Sequence, residues 1–149
     1  MKATLGPTAS IALLIGGLAG CASSPEDVRL PVAGKVMIGD KAAASGSVVF
    51  KPDAAKGNKS KHEPRGRINE DGGYVLETTT QKGAPEGWYK VGVTVTAPAD
   101  PKNPYAEPKH LIARDYGDPE LSGISMNVEK SPAAGAYDIR IDPKAKPAP

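Results

Sequence analysis

Apolar and polar residues alternate along this chain in short runs separated by turn-forming residues. Val32, Gly34, Val36 and Ile38 alternate with Ala33, Lys35 and Met37. This period of two predicts a strand with one face buried. Val48 and Phe50 form the inward pair of a second strand, ended by Pro52. Gly66 with Ile68 marks a short third strand, and Tyr74 with Leu76 a fourth. The clearest alternation sets Tyr89, Val91, Val93 and Val95 against Lys90, Gly92, Thr94 and Thr96. Ile124, Met126 and Val128 predict a sixth strand, and Tyr137, Ile139 and Ile141 a seventh. Gly39-Asp40-Lys41 reads as a turn, Asn69-Glu70-Asp71-Gly72-Gly73 as a hairpin turn, and residues 53–64 as a loop. No stretch carries a helical period of useful length. Seven short strands at this spacing predict an all-β fold, a seven-stranded antiparallel β-sandwich.

Two segments break the pattern. Residues 97–123 hold Pro98, Pro101, Pro104, Pro108 and Pro119, and proline removes ladder donors. An extended insertion is expected there, with one helical turn near 111–116 and with Leu111, Ile112 and Tyr116 pinning it to the sandwich. Residues 143–149 are rich in Pro, Lys and Ala and are expected to form a disordered tail.

The N-terminus follows different rules. Lys2 is the only charge before Glu26, and residues 11–19 are apolar or small. That run is shorter than the ~20 residues a membrane span needs and fits a secretory signal peptide over residues 1–20. It ends in Leu18-Ala19-Gly20-Cys21. This resembles the lipobox of bacterial lipoproteins, in which the Cys thiol is alkylated by a diacylglycerol and the chain is cut just before it. The resemblance implies lipidation at Cys21, palmitate-type acyl chains, and attachment to the membrane through the N-terminal lipid. One acyl chain anchors only marginally, so two or three are needed for stable attachment. Ala22 at the second mature position implies sorting to the outer membrane, the outer face of the cytoplasmic membrane being the alternative. Residues 21–28 then form a lipidated tether, at most ~20 Å long over residues 22–27.

Composition narrows the function. A net charge of +2 with 24% charged residues excludes the strong basic excess of most nucleic-acid binders. Leu, Ile, Val and Phe number 27 of 149 residues, a thin supply that the alternating runs nevertheless concentrate on one face. The single Cys excludes an intrachain disulfide, and the acylation chemistry would consume its thiol. His62 and His110 are the only histidines, and neither has a metal-ligand partner at helical spacing. No zinc-hydrolase or nucleophile-elbow motif is present. No catalytic residues, no metal and no cofactor are expected.

Four segments in order carry a family resemblance: Val32-Ala33-Gly34-Lys35-Val36, Gly46-Ser47-Val48-Val49-Phe50-Lys51-Pro52, residues 69–76, and Gly87-Trp88-Tyr89-Lys90-Val91. Together they resemble the carboxypeptidase-regulatory-like, transthyretin-like (prealbumin-like) Greek-key β-sandwich over residues 29–142. The run Tyr116-Gly117-Asp118-Pro119-Glu120-Leu121-Ser122-Gly123-Ile124 resembles a signature of small bacterial lipoproteins with this domain. Asn69 and Trp88 depart from the usual pattern. The transthyretin-like hydrolases end in Tyr-Arg-Gly-Ser, unlike the Lys-Pro-Ala-Pro here, so no such activity is implied. The resemblance implies a non-catalytic domain in the cell envelope, structural or protein-interacting.

Several candidate sites follow from the residues. Trp88, the only Trp, is out of phase with Tyr89 and Val91 and so faces outward. Two readings stay open: with Tyr105 and Tyr116 it stacks on a sugar ring or a partner, or the Pro-rich insertion folds over it. The first makes the domain a carbohydrate-binding module, with an envelope polysaccharide rather than a protein as partner. Lys51, Lys56, Lys59, Lys61, Arg65 and Arg67 against Asp53 and Glu63 form a basic stretch suited to anionic envelope polymer or lipid headgroups. Asn69, Glu70 and Asp71 offer too few oxygens for a calcium site and have a local reason to be in a turn. Lys35 and Asp138 face outward, which disfavours an isopeptide bond between them.

Overall fold

The computed structural model describes residues 28–98, 100–103 and 105–147. The expectations for the signal peptide, for Leu18, Ala19, Gly20 and Cys21, and for most of the tether lie outside the described residues. Ten strand segments follow in chain order: β1 (Ala33–Ile38), β2 (Lys41–Ala42), β3 (Gly46–Pro52), β4 (Arg65–Ile68), β5 (Gly73–Val75), β6 (Glu77–Thr78), β7 (Gln81–Lys82), β8 (Gly87–Val95), β9 (Ser125–Val128) and β10 (Ile139–Ile141). They make two sheets. One has the order β7-β6-β4-β3-β8-β9, and the other gathers β10, β2 and β5 around β1. No α-helix occurs among the described residues.

Each of the seven alternating runs contains strand, and most of the inward residues the alternation selects are buried, with Ile38, Ile124 and Met126 half-buried against the core. Val36 of β1, Val48 and Phe50 of β3, and Tyr89, Val91, Val93 and Val95 of β8 are all buried in one core that both sheets share. The Phe50 and Tyr89 rings lie 5.7 Å apart at a tilt of 53°, a favourable aromatic arrangement.

The topology departs from the all-antiparallel, seven-strand expectation in three places. First, β10 pairs parallel with β1, Val36 opposite Ile139 and Ile38 opposite Ile141. Alternation fixes which face of a strand is buried but not its direction relative to a neighbour. Second, the Asn69–Gly73 turn is not a hairpin turn. It closes locally, Asn69 N donating to Gly73 O at 2.9 Å, but β4 stays in the six-stranded sheet while β5 pairs with β1. Third, the expected fourth strand divides at the buried Leu76: β5 belongs to one sheet, and β6 pairs with β4 in the other. The tight β6–β7 hairpin, unsignalled in the sequence, turns at Thr79 with φ 60°.

Gly34 explains how β1 is flanked. The Tyr74 hydroxyl reaches past it to donate to the Tyr137 carbonyl at 2.6 Å. A Cβ at Gly34 would collide with that carbonyl oxygen and stand 3.0 Å from Tyr74 Cε1. Burial pushes the Tyr74 phenol pKa well up, so its proton stays on and the bond is kept. Asp138 Oδ1 accepts from the Lys35 backbone N–H at 2.9 Å, continuing the β1 edge where β10 has not yet begun. The carboxylate thus serves the Lys35 main chain.

Candidate functional site

The outer face of the six-stranded sheet collects most of the chemistry that the sequence singled out. Side chains out of phase with the core emerge there: Ser47, Val49 and Lys51 from β3, Arg65 and Arg67 from β4, Trp88, Lys90 and Thr94 from β8, and Ser125 and Asn127 from β9. Three arrangements divide this face.

The first is the Trp88 corner. Trp88 is 39% exposed, and its neighbour is the 53–64 loop. Asp53 starts that loop by accepting from Ala55 N at 3.1 Å, capping the 3-10 turn Ala54–Lys56. Asp53 N and Asn58 Nδ2 both donate to the Trp88 carbonyl, each at 2.9 Å. These two bonds hang the loop on β8. They bring Lys56 Nζ over the indole at 4.1 Å from the ring centroid, while the same ammonium donates to Ser125 Oγ at 2.8 Å. A groove beside the ring is lined by Asn58, Lys59, Ser60, Pro85 and Glu86.

The three aromatic candidates do not come together. Tyr116 is 8% exposed and packs into the core. Tyr105 is 96% exposed and lies in the insertion, part of which borders Ser45 and Thr96 beyond the far end of β8. Trp88 and Thr96 are eight positions apart on an extended chain, about 26 Å. The side chain over Trp88 is Lys56, from the preceding loop rather than the Pro-rich insertion.

The second arrangement is a strap, residues 114–123. The expected helical turn is the 3-10 turn Arg114–Gly117, and Ile112 and Tyr116 are buried as expected, whereas Leu111 is exposed. The strap crosses the outer face above Gly92, where a Cβ would meet Gly117 O at 2.6 Å and Pro119 Cδ at 3.0 Å. Buried Ser122 locks it down, donating through Oγ to the Val91 carbonyl at 2.5 Å. Asp118 Oδ1 accepts from Glu120 N at 2.9 Å, which shapes the turn presenting Glu120. That carboxylate pairs with Lys51 Nζ at 2.9 Å and with Lys90 Nζ. The hydrogen bonds from Lys90 and then Lys51 hold the Glu120 carboxyl below its ordinary range, and the bonds to Glu120 raise both lysines above theirs. All three groups are solvent-exposed, so this is a screened surface network.

The third arrangement is an open groove at the other end of the face, lined by Ser45, Ser47, Arg65, Arg67, Thr94 and Thr96. Of the basic stretch, Lys51 is thus tied to Glu120, Lys56 to Trp88 and Ser125, and Arg65 to Glu63 at 3.4 Å. Among the described residues Arg67 makes no ion pair.

The sequence did not reveal Glu120 as a bridge, nor Ser125 as the Lys56 partner, since both contacts join segments 30 or more positions apart. It did carry a signal for the arginines: in Arg65-Gly66-Arg67-Ile68 the inward residues are Gly66 and Ile68, so both guanidiniums share the outer face. Asp71 Oδ1 accepts from Gly73 N at 3.1 Å, the local turn role expected of it. No three His, Cys, Asp or Glu side chains gather into a metal-holding group among the described residues.

Compared with known proteins, the chain matches no family model, no curated protein and no solved structure.

Proposed function

We propose that the chain is a lipid-anchored cell-envelope protein whose β-sandwich is a non-catalytic structural or protein-interaction module. The observation that carries this reading is the position of the only Cys, directly after Leu18-Ala19-Gly20 at the end of a short apolar run. β1 opens at Ala33, twelve positions after Cys21, and the Leu30 bridge to Ala84 precedes it, so the distance in sequence from anchor to domain fits a short tether. Ala22 after the lipidated Cys favours the outer membrane, with the outer face of the cytoplasmic membrane as the alternative.

We assign the domain, residues 29–142, to the carboxypeptidase-regulatory-like, transthyretin-like Greek-key class. The support is the order of its seven main strands, once β5 and β6 count as one interrupted strand and β2 and β7 as short additions. The parallel β1–β10 pair is this chain's departure from that class as stated.

Replacement of Cys21 by Ser tests the anchor. Wild-type protein is expected in the membrane fraction and labelled by a radioactive fatty acid, and the variant unlabelled and released. Equal membrane retention without label in both forms refutes the reading.

A carbohydrate-binding module is the second reading, and it rests on exposed Trp88 alone. Stacking of a sugar on the ring face that Lys56 covers requires displacing a cation–π contact, about 0.5–1 kcal/mol at an exposed site, and the Lys56–Ser125 hydrogen bond. A glycan panel with the full chain and a Trp88→Ala variant separates the two readings, since only the second expects saturable binding that the substitution abolishes.

A further inference from the structure

We propose that the groove between β4, β3 and β8 is a binding surface for an acidic polysaccharide, with Arg65 and Arg67 as the carboxylate-binding residues and Ser47, Thr94 and Thr96 as partners for sugar hydroxyls. The inference does not depend on the lipid anchor or on Trp88.

Four observations carry it. Arg65 and Arg67 leave the same face of β4, because Gly66 and Ile68 between and beyond them are buried. Their Cα atoms are therefore about 7 Å apart, and two long guanidinium side chains at that spacing reach two carboxylates on one linear polymer. The register then extends the site across the sheet. Arg67 stands opposite Ser47, and Ser47 opposite Thr94, so a guanidinium and two hydroxyls form a row perpendicular to the strands, with neighbours about 4.8 Å apart. Thr96 continues the hydroxyl side along the groove.

These groups are also unspent. Among the described residues the side chains of Arg67, Ser47, Thr94 and Thr96 make no hydrogen bond or ion pair, and Arg65 has only the long, exposed Glu63 contact at 3.4 Å. The nearest other carboxylate by register is Glu77, opposite Arg65 on β6, and its strand partner Lys82 offsets its charge. Past Ser45 and Thr96 the groove adjoins a hollow lined by Asp100, Glu107 and Lys109, so the two arginines are the positive centre of the groove rather than of the whole sheet end. A guanidinium binds a carboxylate in a planar two-point geometry that an ammonium does not offer.

Finally, the groove favours a polysaccharide over a membrane. A surface that docks on a bilayer presents apolar side chains to the acyl boundary. The large exposed apolar residues Val28, Val75, Trp88, Tyr105, Leu111 and Leu121 all lie outside this groove. Its polar lining matches a ligand that offers both carboxylates and hydroxyls.

The test is calorimetric titration of the full chain, in detergent, with polygalacturonate as the acidic probe. Dextran serves as the neutral polymer, and phosphatidylglycerol dispersed in micelles of the same detergent as the lipid arm. Arg65→Gln/Arg67→Gln is compared with Lys35→Gln/Arg140→Gln, which removes the same charge from the other sheet. Polygalacturonate is expected to bind with an affinity that falls steeply with salt. The arginine pair variant is expected to lose about tenfold or more, while the other pair and Trp88→Ala stay within about twofold. Thr94→Val is expected to weaken binding about threefold. Circular dichroism checks that each variant is folded. Equal losses in the two charge-matched pairs would show bulk attraction rather than a site and overturn the proposal. So would binding to phosphatidylglycerol micelles but not the polymer, loss on Trp88→Ala, or no binding by folded wild-type protein.

Discussion

Substituting Gly92 by Ala tests whether the strap is seated on the sheet as described. The new Cβ would stand 2.6 Å from Gly117 O and 3.0 Å from Pro119 Cδ. Restoring an ordinary contact of about 3.4 Å to the carbonyl oxygen requires the strap to retreat by about 0.8 Å. That retreat would stretch the Ser122 Oγ to Val91 O bond from 2.5 Å to about 3.3 Å, past the useful range for a hydroxyl donor. Overpacking costs about 1–3 kcal/mol, and weakening one buried hydrogen bond adds about 1 kcal/mol. A loss of about 2–4 kcal/mol is therefore expected, a large share of an ordinary domain's stability. Urea unfolding followed by fluorescence of the single Trp88 reads it directly. Ser122→Ala alone should cost about 1 kcal/mol, and the double variant less than the sum, because the strap is already lifted. A Gly92→Ala midpoint within about 0.5 kcal/mol of the parent, the range of an ordinary surface change, would show that the strap does not rest on this residue.

Three further outcomes are expected. Tyr74→Phe should lose about 1–2 kcal/mol in urea unfolding, because it leaves the Tyr137 carbonyl without that donor, and Gly34→Ala should cost more because it also displaces the carbonyl itself. The Glu120 carboxyl is held low by Lys90 and Lys51, so its contribution is present above its ordinary value of 4.5 and lost as pH falls through the depressed folded value. The lysines, held high by Glu120, give their contribution below 10.5 and lose it as pH rises through their raised values. A carbon-13 titration should place the Glu120 midpoint below 4.5, moving back toward it in 1 M salt, and a midpoint at or above 4.5 contradicts the bridge. Tyr116→Ala should cost about 3–5 kcal/mol as a buried aromatic truncation, whereas Tyr105→Ala, 96% exposed, should stay within about 0.5 kcal/mol.

The two tyrosines show how sequence and structure divide the information. Both sit in the same Pro-rich insertion, and the sequence offers both as stacking partners for Trp88 while also expecting Tyr116 to pin the insertion to the sandwich. Only the path of the strap over Gly92 carries Tyr116 into the core and leaves Tyr105 in solvent. The Trp88 corner is similar. Its outward direction follows from being out of phase with Tyr89 and Val91, but its cover comes from Lys56, held by Asp53 and Asn58 across a strand boundary.

By itself the sequence determined what is local. A side-chain period of two decides which residues of each strand enter the core, and so it located the strand-forming runs, most of their buried faces and the shared outer side of Arg65 and Arg67. Tertiary structure decided what depends on distant partners: the parallel pairing of β10 with β1, the passage of residues 73–78 from one sheet to the other, the Glu120 bridge, and the alignment of Arg67 with Ser47 and Thr94. Alternation fixes a strand's faces but leaves its neighbour and direction free, so pairing is settled only when all the strands compete for one core.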